Sequence, residues 1–107
     1  MQTVTALQAY EMLLAAEAHG VDVREQSEWD AGHSEQFQLN PLSQFDPAVI
    51  PTDKPIIFVC RSGNRSGKVC DALAAVRTDI YNLEGGMQAW LAAGLPMLAV
   101  NGLPEVP

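Results

Sequence analysis

Ile56-Ile57-Phe58-Val59 is a run of four apolar residues with no polar residue alternating between them, and it gives way at once to Cys60-Arg61-Ser62-Gly63-Asn64-Arg65-Ser66. A strand that is apolar at every position has to be covered on both faces. That condition is met by a central strand of a parallel sheet with helices on either side. Beyond the polar loop, Val69, Leu73 and Val76 recur at i, i+4 and i+7, the spacing of one helix face. The chain therefore passes from buried strand through a short loop into a helix N-terminus, with a cysteine at the junction.

That junction is where a thiolate costs least. A helix start presents unsatisfied backbone N–H groups and the positive end of the macrodipole, and Gly63 and Asn64 are residue types that let a short loop turn its amides inward around an anion. The chain carries a net charge of −7, yet three of its six Lys/Arg residues, Arg61, Arg65 and Lys68, fall within two turns of Cys60. Nearby cations and a helix N-terminus lower a cysteine pKa from about 8.5 to roughly 3.5–7.5. Cys60 is expected to be a thiolate at neutral pH. The competing reading, an inert core cysteine that ends a strand, fits poorly with such polar and cationic neighbours.

The 107 residues bound one domain, 1–107, with a single core spanning about 3–98. No apolar run is long enough to span a bilayer, and Met1 to Thr5 lacks a basic segment followed by an apolar stretch, so the expected address is the cytoplasm. The acidic balance argues against nucleic acid or an anionic membrane surface as a partner. With Cys60 on the loop and Cys70 inside the helix, the two lie roughly 8–12 Å apart along the axis, beyond the ~7 Å between Cα atoms that a disulfide tolerates. Cys60, Cys70, His19 and His33 lack the paired short spacings of zinc sites, so no metal is expected.

Along the chain, Val4 ends a short strand, and Thr5 with Gln8 forms a capping box that opens a helix with Leu7, Tyr10 and Leu14 on one face. The helix is expected to stop at His19-Gly20, with glycine at the left-handed position and histidine suiting the negative helix end. Val21-Asp22-Val23 reads as a strand, Arg24 to Asp30 as a loop and short helix, Phe37-Gln38-Leu39 as a brief strand, and Leu42 to Ile50 as a turn or two of helix. Ile80 to Leu83 reads as a further strand, and Met87, Trp90 and Leu91 as one face of a last helix ending near Gly94. The tail, about 97–107, is rich in Gly and Pro and is expected to be flexible. Strands alternating with helices give an α/β fold with a mainly parallel sheet, whose sites lie beyond the carboxyl ends of the strands.

Several segments together resemble the rhodanese-like domain family. They are Val21-Asp22-Val23-Arg24-Glu25 with Glu28-Trp29 and Gly32-His33; Asp53-Lys54-Pro55-Ile56 through Cys60 to Ser66; and Tyr81-Asn82-Leu83-Glu84-Gly85-Gly86 with Ala89-Trp90 and Ala93-Gly94-Leu95-Pro96. The resemblance implies a three-layer sandwich, a central sheet of about five strands flanked by helices. It also implies a single-domain sulfurtransferase that carries sulfur as a persulfide on Cys60, with the amides from Arg61 through Ser62, Gly63 and Asn64 to Arg65 cradling the sulfur. Arg61 and Arg65 would attract the anionic donor or stabilise the loop, and for Arg65 an ion pair with Asp22 or Glu25 is an equal reading. The implied partners are a small anionic sulfur donor and a thiol, cyanide or protein acceptor, with no cofactor. After Gly32-His33 the chain departs from the family pattern, with Ser34 to Asn40 in place of an apolar residue, a proline and a Gly-Ala pair, so a changed loop is expected there.

Other readings compete. Asp22 either caps the next turn or pairs with an arginine. Trp29 suits the core, and His33 a structural hydrogen bond, better than catalysis. A cysteine phosphatase or arsenate reductase also uses a thiolate in an amide cradle, but such loops place five residues between cysteine and arginine, against four here. A non-catalytic or sulfur-relay interaction module is the remaining alternative.

Overall fold

Five strands and four helices alternate in the computed structural model, which describes residues 1–107. In chain order they are β1 (Gln2–Val4), α1 (Ala6–Leu14), β2 (His19–Asp22), α2 (Gln26–Ala31), β3 (Phe37–Leu39), β4 (Ile56–Val59), α3 (Asn64–Leu73), β5 (Ile80–Leu83) and α4 (Gly86–Ala92). The strands form one sheet in the order β1-β5-β4-β2-β3, and every neighbouring pair is parallel. All four residues of β4 are buried, as its unbroken apolar sequence requires. Ile56 and Phe58 join Cys60, Val69, Cys70 and Ile80 on the face covered by α3, whereas Ile57 and Val59 join Leu83, Met87 and Trp90 on the face covered by α1 and α4. No helix is long and apolar enough to cross a membrane.

The expected capping box is present, with Gln8 N–H donating to Thr5 Oγ1 at 3.2 Å and Thr5 N–H donating to Gln8 Oε1 at 2.9 Å. The rest of the first helix differs from expectation. It ends at Leu14, with Ala16 taking the left-handed conformation at φ 56°, and His19-Gly20 belongs to β2. Gly20 serves packing instead, since a Cβ there would meet the Phe37 ring at 2.6 Å. The buried face is Ala6, Ala9 and Leu13, while Leu7 and Leu14 are exposed. Small alanines pack α1 close to the sheet, and of the expected stripe only Tyr10 packs on the core, edge-on to Trp90. Val76 likewise lies beyond α3, 78 % exposed, and its place on the buried face is taken by Ser66, Gly67, Val69 and Cys70.

The segment after α4 has anchors that its composition did not reveal. His33 and Leu98 exchange two backbone hydrogen bonds at 2.9 and 2.8 Å, Val100 N–H donates to Asp30 O, and Glu105 N–H donates to Ala31 O. Val106 packs against the α1/α4 core. A Cβ on Gly32 would collide with the Glu105 backbone, so glycine is what lets the segment lie this close to the end of α2. The atypical Ser34 to Asn40 stretch supplies its own bonds: Ser34 Oγ accepts from Gln36 N–H, and Asn40 exchanges two bonds with the Asp46 backbone at 2.9 and 3.0 Å.

Candidate active site

Cys60 follows the last residue of β4, at the carboxyl end of the central strand. Two amides at the start of α4 hold the loop base, Met87 N–H donating to Cys60 O at 2.8 Å and Gln88 N–H to Arg61 O at 3.1 Å. Gly86 makes this approach possible: its φ is +61°, and a Cβ there would fall on the Cys60 and Arg61 carbonyl groups. Gly86→Ala is therefore expected to displace the loop, at a cost of about 1–3 kcal/mol from the left-handed backbone alone. Comparing the melting temperature with the Cys60 alkylation rate at neutral pH checks this, and both should fall.

From Cys60 the chain turns through Gly63, which caps α3 in the left-handed conformation at φ +102°. This aims Gly63 N–H at Cys60 Sγ, 3.1 Å away. Ser66, in the first turn of α3, places its Oγ 3.3 Å from the same sulfur. Burial pushes the Cys60 thiol up, but the Ser66 hydroxyl and the amides of Ser66, Gly63 and Ser62 outweigh it, and the pKa lies below the usual cysteine value. Hydrogen-bond donors, not neighbouring cations, hold the sulfur's pKa down. Arg65 forks onto Glu28 of α2 with two bonds of 2.8 Å, and Arg61 donates from Nε to Pro107 O at 2.8 Å. With the Gln88 amide turned so that its oxygen faces the guanidinium, Oε1 accepts from Arg61 at 3.2 and 3.3 Å. Lys68 is exposed on α3.

The six residues named from sequence, Cys60 to Arg65, do form one loop and helix start. Arg61, Ser62 and Asn64 are exposed around the buried sulfur, and Arg65 is half-buried in its ion pair. The arginine's partner is Glu28, not Asp22 or Glu25, and the pairing holds Glu28 below the usual carboxylate range. Asp22 is occupied by Arg24, with both side chains fully buried. His33 bonds through Nδ1 to Trp29 O at 2.8 Å and stacks on the Trp29 ring at 4.1 Å. His19 pairs with Asp53 at the amino end of the sheet, away from the cysteine.

Three contributors escaped the sequence reading: Ser66, Asn82 and Glu28. Asn82, on β5, accepts from Ser66 Oγ at 2.6 Å and donates from Nδ2 to Gly63 O at 3.1 Å. The available signal was a lone asparagine at a position of β5 that shares the α3-facing side with Ile80, where an apolar residue would extend the core.

Comparison with known proteins agrees with this fold. A family model described as Rhodanese-like domain matches residues 5–93. The chain is 37 % identical over 87 residues to the uncharacterized protein slr1261 of Synechocystis sp., covering 78 % of this chain and 49 % of that protein. It is 41 % identical over 54 residues to a protein of Allochromatium vinosum named sulfurtransferase, covering 50 % of each. The chain thus spans about half the length of these curated relatives. Among solved structures, a rhodanese-related protein of Thermoplasma volcanium superposes with a TM-score of 0.83 at 26 % identity, covering 94 % of this chain and 100 % of that one. With the parallel sheet, the amide loop and the family match in agreement, the chain belongs to the rhodanese-like domain family.

Proposed function

We propose that this protein is a sulfurtransferase that moves a sulfane sulfur from thiosulfate or a persulfide donor to a thiophilic acceptor through a persulfide on Cys60. The observation that carries the reading is the Cys60 sulfur set among inward-directed donors, the Gly63 amide at 3.1 Å and the Ser66 hydroxyl at 3.3 Å, at the carboxyl end of the central strand. Relatives named sulfurtransferase support it.

In the proposed first step the Cys60 thiolate attacks the outer sulfur of thiosulfate. The new S–S bond forms as the old one breaks, and sulfite leaves with the electron pair, so no proton is consumed. A thiol, cyanide or a nucleophile on a protein acceptor then takes the outer sulfur and regenerates the thiolate. Both resting states are anionic, so fixed amide dipoles favour both without reorganising. Arg61, exposed beside the loop, is the cation best placed to draw in a dianionic donor. A phosphatase reading is weakened because Glu28 takes both terminal nitrogens of Arg65, the group that would have to wrap an oxyanion.

Intact-mass measurement after thiosulfate treatment tests the proposal. One added sulfur, removed by a thiol reductant, is the expected result, and an unchanged mass at saturating donor would overturn it.

A further inference from the structure

Resting on the persulfide reading of Cys60, we propose that Asn82 is a positioning residue that biases the site toward the sulfur-loaded state, by drawing the single hydroxyl proton of Ser66 away from Cys60 whenever the negative charge leaves Sγ.

The inference comes from counting donors and acceptors. Gly63 O can only accept, so the Asn82 amide must turn Nδ2 toward it, at 3.1 Å. That leaves Asn82 Oδ1, which also can only accept, facing Ser66 Oγ at 2.6 Å. Ser66 has one proton and two claimants, Asn82 Oδ1 at 2.6 Å and Cys60 Sγ at 3.3 Å. Asn82 and Ser66 are both buried, so water does not relieve the competition.

The state of the sulfur decides where the proton points. With a neutral thiol, the groups close a complete ring: Cys60 S–H donates to Ser66, Ser66 to Asn82, Asn82 to Gly63 O, and Gly63 N–H to Sγ. With a thiolate, the Ser66 hydroxyl turns to the sulfur and Asn82 Oδ1 loses its donor. When thiosulfate delivers its outer sulfur, the charge moves to that terminal atom, Sγ becomes a weak acceptor, and the hydroxyl returns to Asn82. The Ser66–Asn82 bond therefore favours loading at the expense of the free thiolate. Ser66 acts in the opposite sense, because its bond to Sγ stabilises the unloaded anion.

A double-variant cycle reads this on two observables. Thiolate absorbance followed against pH reports Cys60 without requiring turnover; Cys70, pushed up to about 12 mainly by burial, stays silent near neutrality. Asn82→Ala is expected to lower the half-ionisation pH of Cys60 by about one unit, a tenfold change in the equilibrium, and to shift the loaded-to-free ratio in a thiosulfate/sulfite mixture toward free thiol by a similar factor. Ser66→Ala should move both in the opposite direction. In the Ser66→Ala background, Asn82→Ala should have no further effect on either. Asn82→Leu, which fills the site but offers no acceptor, gives the same test should the alanine variant fold poorly. An upward shift in half-ionisation, or an equal shift in both backgrounds, would overturn the proposal and leave Asn82 as loop support only. Absence of any loading in the unsubstituted protein would instead defeat the sulfurtransferase reading, while the titration still tests the Ser66–Asn82 coupling.

Discussion

Cys60→Ser is expected to abolish thiosulfate:cyanide sulfur transfer, a loss of about a thousandfold or more, as for removal of a covalent nucleophile elsewhere, while Cys70→Ser retains most of the activity. The two thiols are both buried and only ten residues apart in sequence, yet they meet opposite environments. Donors from Gly63 and Ser66 converge on the Cys60 sulfur and hold its pKa below the usual value. Cys70 lies on the α3 face against the sheet, where burial first and then the Asp71 charge push it up to about 12. One thiol therefore ionises more readily than an ordinary cysteine, and the other is a small apolar filler. A serine hydroxyl at position 60 fits the same cradle but does not ionise near neutrality, so its fold should persist while turnover is lost. At position 70 the hydroxyl replaces a sulfur in an apolar pocket, a cost of about 1–3 kcal/mol, so thermal melts beside the kinetics separate stability from chemistry. Equal loss of specific activity in two well-folded variants would contradict this assignment of the thiols.

The parts legible in the sequence were those with a one-dimensional signature. The unbroken apolar run of β4, the Thr5–Gln8 capping box and the glycine-bearing loop after Cys60 each announce local backbone states, and the structure has all three. Parallel topology followed from alternation of strands and helices. The errors came where long-range partners decide. Arg65 had several carboxylates within plausible reach, and only the folded chain, which brings Glu28 of α2 to the start of α3, selects among them. Gly20 looked like a helix stop because glycine often ends helices, but here it clears room for Phe37 on the neighbouring strand. The Cys60 pKa is lowered, as a loop cysteine at a helix start leads one to expect, but the donors that outweigh burial are Ser66 and three amides, not guanidiniums. Asn82 lies sixteen residues beyond Ser66, and nothing in the intervening sequence marks the pair.

Arg24→Ala is expected to give the largest loss of stability of any single change outside the apolar core. Arg24 and Asp22 are both fully buried, and the guanidinium donates to Asp22 from Nε and Nη2, to Gly32 O at 2.8 Å and to Glu28 O at 3.3 Å. Asp22 also accepts from the Arg24 backbone amide at 3.0 Å, so one carboxylate closes the turn after β2 while its partner fastens both ends of the contact with α2. Removing the arginine leaves an uncompensated buried carboxylate and frees the Gly32 carbonyl, while Glu28 O keeps the Gly32 N–H at 3.3 Å, a penalty of about 3–5 kcal/mol, against a total stability of roughly 5–15 kcal/mol for a domain of this kind. The melting temperature should fall on the order of 20 °C. Combining it with a second change, as in Asp22→Asn with Arg24→Met, should recover part of that loss because no buried charge remains, and a double variant no more stable than Arg24→Ala would show that the carbonyl contacts, not the ion pair, carry the energy. The same linkage reaches the active site: the Glu28 whose carbonyl Arg24 holds is the residue whose carboxylate forks Arg65 at the start of α3. Conditions under which Arg24→Ala still folds should therefore show slower Cys60 alkylation at neutral pH, because a loosened α2 releases Arg65 and with it the helix start that supplies the Ser66 donor.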